Sequence, residues 1–302
     1  RGHRPSVGDG LVVVDKPAGW TSHDVVARMR RLAGTRKVGH AGTLDPMATG
    51  LLLLGVGAAT RLLGYLGGHD KTYEATIRLG QSTVTDDREG EVLATSSTAD
   101  LDDDAIRTAL AGQTGPLQQV PSSVSAVKVD GRRSYDRVRA GEAVELAPRS
   151  VTVHRLEVHR IERPTPDLVD VDVTVTCTAG TYIRAIARDA GAALGVGGHL
   201  TALRRTASGP FTIAQAATVE DAGAALLADG GGGFLGLTEA ATTVFPARTL
   251  TAEETRTLFY GQRITATDAP GLHAAVDPDG RLAALVEDAG ATARVVVGFP
   301  RA

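Results

Sequence analysis

The sequence has little of what disulfide, thiolate or membrane chemistry needs. It contains one cysteine, Cys177, which excludes an internal disulfide and a cluster of thiolate metal ligands. Aromatic residues make up only 4% of the 302 residues, so the core must be built from Val, Leu, Ile and Ala. No apolar run approaches the ~18 residues of a membrane span, and no apolar leader stands near residue 1. These features predict a protein of the reducing cytoplasm with no membrane anchor.

Motifs for metal and nucleotide cofactors are also missing. The eight histidines are scattered, without a His-x₃-His or Cys-x₂-Cys pair. There is no phosphate-binding Gly-x-x-x-x-Gly-Lys motif, no dinucleotide fingerprint after a strand, and no Gly-x-Ser-x-Gly nucleophile motif. The sequence therefore predicts neither a metal nor a cofactor.

The charge is unevenly distributed along the chain. The net charge is −3, but residues 220–302 carry eleven acidic and six basic residues, so the remainder is slightly basic. A single basic run is typical of a solvated surface, whereas several runs that flank the motifs described below favour phosphate contacts. Three such runs are present: Arg28, Arg30, Arg31, Arg36 and Lys37; Lys128, Arg132, Arg133, Arg137 and Arg139; Arg204 and Arg205.

Residue patterns predict an α+β protein. Residues 168–178 alternate between apolar and polar side chains, which indicates a strand with one buried face and makes Cys177 a core residue. Thr21 and Asp24 form a capping pattern for a helix over 22–32, ended by Gly34. Further strands are expected at 11–14, 73–79 and 151–161, and helices at 101–110 and 183–190. Residues 116–141 are expected to form a long exposed excursion.

The segment from Gly39 to Gly50 differs from the rest of the chain. Its glycines, at 39, 42 and 50, interrupt regular structure and permit close approach of a ligand. Asp45 precedes Pro46, which favours an extended backbone at the aspartate. The residues alone are explained adequately by an Asx-turn, and a loop that presents a reactive carboxylate is the less favoured alternative.

A family resemblance decides between these readings. Residues 39–54 closely resemble the catalytic-loop motif of the TruB family of tRNA pseudouridine-55 synthases, and five further motifs follow the family's order and spacing through about residue 215. These are Asp15-Lys16-Pro17-x-Gly19-x-Thr21-Ser22, Asp70-Lys71-x-Tyr73, Pro121-x-x-x-Ser125-Ala126-x-Lys128-x-x-Gly131, Gly180-Thr181-Tyr182-Ile183-Arg184, and His199-Leu200 with Leu203-Arg204-Arg205.

The resemblance implies roles for particular residues. Asp45 takes the position of the family's catalytic aspartate and Arg184 that of its arginine partner; an adjacent arginine favours an ionised, nucleophilic carboxylate. Tyr73 and Tyr182 take the positions of aromatic residues that border the uracil, Tyr73 being also a candidate for proton transfer, and Leu203 that of a pocket-lining residue. His40 resembles the residue that fills the space left by the flipped base. Lys128, Arg204 and Arg205 are expected to contact the RNA, whereas Lys16 resembles a structural motif lysine.

The implied architecture is the pseudouridine-synthase fold. It has a central mixed, mostly antiparallel sheet with the site in a cleft across it, and a small β-rich PUA-like domain at the C-terminus. The expected divisions are a catalytic domain over 1–228 with a thumb-like RNA-binding insertion at about 122–146, a linker over 229–244, and the PUA-like domain over 245–302. The implied activity is isomerisation of uridine 55 in the T-loop of tRNA by a monomer that needs no cofactor or metal.

Three other readings stay open at this point. A guide-RNA-dependent synthase would have a larger and more basic C-terminal region. An RNA-binding or RNA-folding protein could use the same surface without chemistry, and the resemblance allows both roles together. A glycoside hydrolase would need a second acid beside Asp45, which the matched motifs do not provide.

Overall fold

The computed structural model describes residues 8–122, 147–228 and 230–299, together with the backbone of 128–129 and 132–133. The strands among these residues are β1 (Gly10–Lys16), β2 (Val38–Ala41), β3 (Thr49–Val56), β4 (Lys71–Leu79), β5 (Gln81–Thr83), β6 (Val92–Thr95), β7 (Gly115–Gln119), β8 (Lys128–Val129), β9 (Arg132–Arg133), β10 (Arg149–Thr165), β11 (Leu168–Cys177), β12 (Gly198–Ser208), β13 (Phe211–Thr212), β14 (Phe234–Gly236), β15 (Ala247–Thr249), β16 (Ile264–Thr265), β17 (Leu272–Val276), β18 (Leu282–Ala289) and β19 (Thr292–Gly298). The α-helices are α1 (Ser22–Ala33), α2 (Leu63–Leu66), α3 (Asp103–Ala111), α4 (Ile183–Ala193), α5 (Val219–Leu227), α6 (Leu237–Val244) and α7 (Ala252–Phe259).

A ten-stranded mixed sheet forms the centre of the fold. Its strand order is β14-β1-β3-β12-β4-β11-β10-β7, with β2 paired to β3 and β13 paired to β12. All these pairs are antiparallel except β12 with β3, so the expected mixed, mostly antiparallel sheet is confirmed. The parallel pair requires Gly50, whose φ is 102° and where a Cβ would lie 2.3 Å from the backbone oxygen of Arg205.

Local sequence signals account for the central elements. The alternation along β11 buries the five apolar side chains from Val169 to Cys177, as predicted, because successive side chains of a strand face opposite sides. The α1 helix begins at the Thr21–Asp24 capping box and ends at Gly34 in the left-handed conformation. Both elements were predicted to within two residues.

The central sheet buries two apolar faces. On one face, side chains such as Val12 and Leu52 pack in a cluster that also contains side chains of α1, α3, α4 and α5. On the other face, Leu11 and Leu53 pack with α6 and with residues of the C-terminal sheet such as Leu285. That second sheet has the order β15-β17-β18-β19-β16, which agrees with the β-rich C-terminal region expected from sequence.

Three segments differ from their expected structure. Residues 116–119 were expected in an exposed excursion but form β7, at the edge of the central sheet, where a proline such as Pro116 is tolerated. Gly39 was expected to break regular structure but lies within β2. Residues 234–244, expected in a linker, contain β14, which pairs with β1, and α6, which packs beneath it. No helix of the described ranges is long and apolar enough to cross a membrane.

Candidate active site

Asp45 lies in the turn between β2 and β3, which we call the Asp45 loop (residues 42–48). Ser22, at the first turn of α1, fixes the residue before the aspartate: its Oγ accepts a hydrogen bond from Leu44 N at 2.9 Å and donates to Leu44 O at 3.2 Å. On the other side, Gly19 N donates to Pro46 O at 2.8 Å. The loop is therefore held immediately before and immediately after Asp45.

Lys16 adds a buried cation beneath the loop. Its Nζ is fully enclosed and donates to the carbonyl oxygens of Pro17, Trp20 and Pro46 at 2.9, 2.6 and 3.3 Å. Burial lowers the pKa of Lys16 to about 8, and the nearby charge of Asp45 opposes part of that shift. All three partners are backbone oxygens, which agrees with a structural role for this lysine.

Arg184 holds the Asp45 carboxylate from α4. Its Nε lies 3.0 Å from Asp45 Oδ2 and its Nη2 lies 3.2 Å from Asp45 Oδ1, a two-pronged contact that fixes the plane of the carboxylate. The arginine side chain is 5% exposed, whereas that of Asp45 is 32% exposed. The structure thus brings the two predicted partners together and leaves the carboxylate open to a ligand.

The turn after β5 supplies the other side of the Arg184 guanidinium. Thr85 O accepts from Nη1 at 2.8 Å, and Asp87 Oδ2 lies 3.5 Å from the same nitrogen. Asp87 is 97 residues from Arg184 along the chain, and its acidic turn carried no pattern that marked it as part of the site. Its side chain is 5% exposed, so it acts on the arginine and does not form a second open acid of the kind a glycoside hydrolase needs.

The predicted pocket residues lie on β4, β12 and α4. Tyr73 on β4 and Leu203 on the adjacent strand β12 are both buried, with Tyr73 opposite Arg205 and Leu203 opposite Ala75. Burial raises the pKa of Tyr73 and, at the start of α4, that of the half-buried Tyr182, which keeps both hydroxyls protonated. His40, on β2 ahead of the Asp45 loop, is half-buried and contacts His23 edge-to-face at 5.5 Å between ring centroids.

Gln119 fixes the start of α4. Its Oε1 accepts from Tyr182 N at 2.9 Å and its Nε2 donates to Tyr182 O at 3.3 Å, so one side-chain amide satisfies the backbone of one residue. Gln119 is buried at the end of β7. Sequence reasoning missed this residue because its strand was expected to be an exposed excursion.

Two arginines expected at an RNA surface have internal partners instead. Arg205 is 1% exposed and donates to the carbonyl oxygens of Leu51 at 2.7 Å and Gly42 at 3.0 Å, which ties β12 to the Asp45 loop. Arg204 forms a two-pronged ion pair with Asp15, with contacts of 3.0 and 2.7 Å. The expectation that this pair binds RNA phosphates is thus corrected for Arg205, which cannot reach solvent, and Arg204 is neutralised by Asp15.

The other basic residues expected to contact RNA differ in exposure and in their partners. In the first basic run, Arg28 is paired with Glu220 and Arg30 donates to Val38 O, while Arg36 and Lys37 are exposed. The side chain of Lys128 and most of the thumb-like insertion at 122–146 lie outside the described residues. Within the described ranges, no group of three or more His, Cys, Asp or Glu side chains is placed to hold a metal ion.

Comparisons with known proteins identify the family of this chain. Residues 30–183 match the model of the TruB family pseudouridylate synthase N-terminal domain, residues 184–230 that of the tRNA pseudouridylate synthase B C-terminal domain, and residues 245–300 that of tRNA pseudouridine synthase II, C terminal. The chain belongs to the TruB family. It is therefore a pseudouridine synthase, as the motifs indicated.

Relatives of this TruB family chain match it over nearly its whole length. The tRNA pseudouridine synthase B of Arthrobacter sp. (strain FB24) is 57% identical over 300 residues, covering 96% of each chain. That of Thermobifida fusca (strain YX) is 55% identical over 294 residues, covering 96% of this chain and 98% of the relative. A chain of the Cbf5-Nop10-Gar1 complex is 26% identical with a TM-score of 0.72, covering 99% of this chain and 88% of the other, which confirms the pseudouridine-synthase fold.

In this TruB family chain the Asp45 carboxylate is held from several sides. A carboxylate fixed by Ser22, Lys16 and Gly19 through its neighbours, and by Arg184 directly, is oriented before any ligand arrives. Such preorganisation lowers the cost of reaching a reactive geometry.

Proposed function

We propose that this chain isomerises uridine 55 in the T-loop of tRNA to pseudouridine, with Asp45 as the nucleophile. Its relatives at 55–57% identity are tRNA pseudouridine synthases B, which supports tRNA as the substrate. The observation that carries the proposal is the state of the Asp45 carboxylate. Its side chain is 32% exposed, and Arg184 contacts both of its oxygens. The proposed RNA partner is the T-arm of tRNA. We propose that the chain acts on it as a monomer in the cytoplasm.

The reaction breaks the bond between N1 of uracil and C1′ of ribose and forms a bond between C5 and C1′. C5 loses a proton and N1 gains one, so atoms and electrons balance and no oxidant, reductant or energy source is required. Asp45 attacks the sugar at C1′, assists departure of the base, or adds to the base at C6. In each case the reacting atom must come within about 3–3.5 Å of its carboxylate. Arg184 keeps the carboxylate in that orientation throughout.

A uridine within a folded loop reaches Asp45 by leaving its stack. Flipping a base costs a few kcal/mol, which contacts in the receiving pocket offset. We propose that Tyr73, Tyr182 and Leu203 border the detached uracil and that His40 occupies the space it leaves. We also propose that Tyr73, whose pKa is raised by burial, donates or relays a proton through its hydroxyl.

We propose that the chain is divided into two domains with different roles. Residues 1–228 form the synthase domain, with the RNA-gripping insertion at about 122–146 and Lys128 among its contacts, and residues 245–302 form a PUA-like domain. Residues 234–244 belong structurally with the synthase sheet through β14 and α6. RNA contact by exposed cations such as Arg36 and Lys37 compensates for the ion-paired Arg204 and the buried Arg205.

The test is pseudouridine mapping on a T-loop stem-loop transcript with three proteins. They are the unmodified chain, Asp45→Asn, and the matched control Asp167→Asn, whose aspartate is exposed and bonds only Ser97 in the described contacts. We expect the unmodified chain and Asp167→Asn to convert the T-loop uridine, and Asp45→Asn to bind the RNA without converting it. Tight binding by all three with no conversion would instead identify an RNA-binding or RNA-folding protein.

A further inference from the structure

The turn beside Arg184 contains a second aspartate that the proposed mechanism does not use. Asp86 has a φ of 58°, and within the described ranges only one other non-glycine residue, Asp268, has a positive φ. The left-handed conformation is disfavoured for residues with a Cβ, although aspartate tolerates it better than most. Such a backbone persists where surrounding contacts fix it.

Those contacts converge on the Asp86 carboxylate. Its Oδ2 accepts a hydrogen bond from Ser122 Oγ at 2.6 Å and lies 3.3 Å from Arg188 Nη1. The side chain is 13% exposed and Ser122 is fully buried. Arg188 also donates to Val120 O at 2.9 Å, so the carboxylate joins α4 to the residues that follow β7.

Two successive acids therefore contact two successive turns of one helix. Asp87 meets Arg184 and Asp86 meets Arg188, and residues four apart on a helix lie on the same face. The backbone of the turn is fixed as well, because Leu200 N donates to Asp86 O at 3.0 Å. Asp86 lies between Thr85 and Asp87 in the chain, and both of these residues contact the Arg184 guanidinium.

We propose that Asp86 is a positioning residue for the isomerisation: by pairing with Arg188 and Ser122 it sets the turn that orients Arg184 on Asp45. Asp86 touches neither the substrate nor the Asp45 carboxylate and acts only through Arg184. The inference rests on the proposed function, because it takes the Arg184–Asp45 pair as the reacting pair. It assigns a role in the reaction to a carboxylate outside the ion pair itself.

Asp86→Gly tests the proposal, because glycine accepts the positive φ and lacks only the carboxylate. Asp268→Gly is the matched control: it makes the same change at φ 59° in an exposed turn of the C-terminal region. We expect Asp86→Gly to lower the single-turnover rate at saturating T-loop RNA by roughly ten- to hundredfold, the range that a small misplacement costs, with RNA affinity nearly unchanged. Asp268→Gly should keep the unmodified rate.

A second pair of variants separates positioning from general stability. In an Arg184→Lys background, adding Asp86→Gly should cause little further loss, because the group through which Asp86 acts is already altered. Asp86→Asn keeps an oxygen that can accept from Ser122 and Arg188 but removes the negative charge, so it should show an intermediate loss. It also covers the case in which Asp86→Gly fails to fold. An unmodified rate in Asp86→Gly, or a full additive loss in the Arg184→Lys background, would overturn the proposal. Full activity of Asp45→Asn would instead overturn the proposed function.

Discussion

Ser22→Ala tests whether α1 fixes the Asp45 loop. The substitution removes the hydroxyl that bonds both Leu44 N and Leu44 O, at a position where Ser22 is 1% and Leu44 4% exposed. An orphaned buried backbone group costs about 1–3 kcal/mol. Alanine returns about 0.5 kcal/mol through its higher helix propensity. Because two groups are orphaned, we expect the free energy of unfolding to fall by about 2 kcal/mol or more.

The same substitution should affect the reaction more than binding. Once Leu44 is released, the backbone before Asp45 is no longer fixed, and the single-turnover rate should fall by about tenfold or more while RNA affinity is retained. Urea unfolding and rapid-quench pseudouridine assays measure the two effects. Ser97→Ala is the control, since it also loses a serine hydrogen bond, to Asp167, but at an exposed site where water replaces it. A variant as stable and as fast as Ser97→Ala would refute the reasoning.

Three further predictions concern the cations near the site. Burial lowers the pKa of Lys16 from 10.5 to about 8, so the unfolded chain binds this proton more tightly than the folded chain does. The free energy of unfolding should therefore rise between about pH 8 and 10.5, by at most on the order of 3 kcal/mol. Lys16→Met should lack that rise when the two proteins are compared by urea unfolding across this pH range. Arg205→Met should destabilise the fold by about 3 kcal/mol or more, since it orphans Leu51 O and Gly42 O; a stable variant with weaker RNA binding would contradict the structural role. The partly exposed pair of Arg204 with Asp15 should contribute only about 0.2–1 kcal/mol in a double-mutant cycle of alanine variants, and a larger coupling would contradict this.

Local patterns in the sequence were enough to predict single elements. The Thr21 cap and Gly34 bounded α1, and the alternation along β11 placed Cys177 in the core. The pairing of Asp45 with Arg184, 139 residues apart, followed only from the family resemblance, since neither residue has a local signature of its partner. Local residue patterns predict individual helices and strands, whereas the family resemblance predicts which of them come into contact.

The remaining features depend on tertiary packing. Arg204 and Arg205 look alike in sequence, yet adjacent residues of a strand face opposite sides of the sheet, so one is half-exposed and the other buried. Asp87 and Gln119 lie in a turn and an edge strand whose neighbours are set by distant chain segments. The contribution of these residues could be recognised only once the sheet order was known.

The hydrogen bond from Arg205 to Gly42 has a consequence for co-translational folding. The two residues are 163 positions apart, so the Asp45 loop lacks this support until a large part of the chain has been synthesised. At about 5–20 residues per second this delay is roughly ten to thirty seconds. The Asp45 carboxylate itself gains its partner Arg184 when α4 emerges, and the loop that carries it gains its last described support when β12 follows.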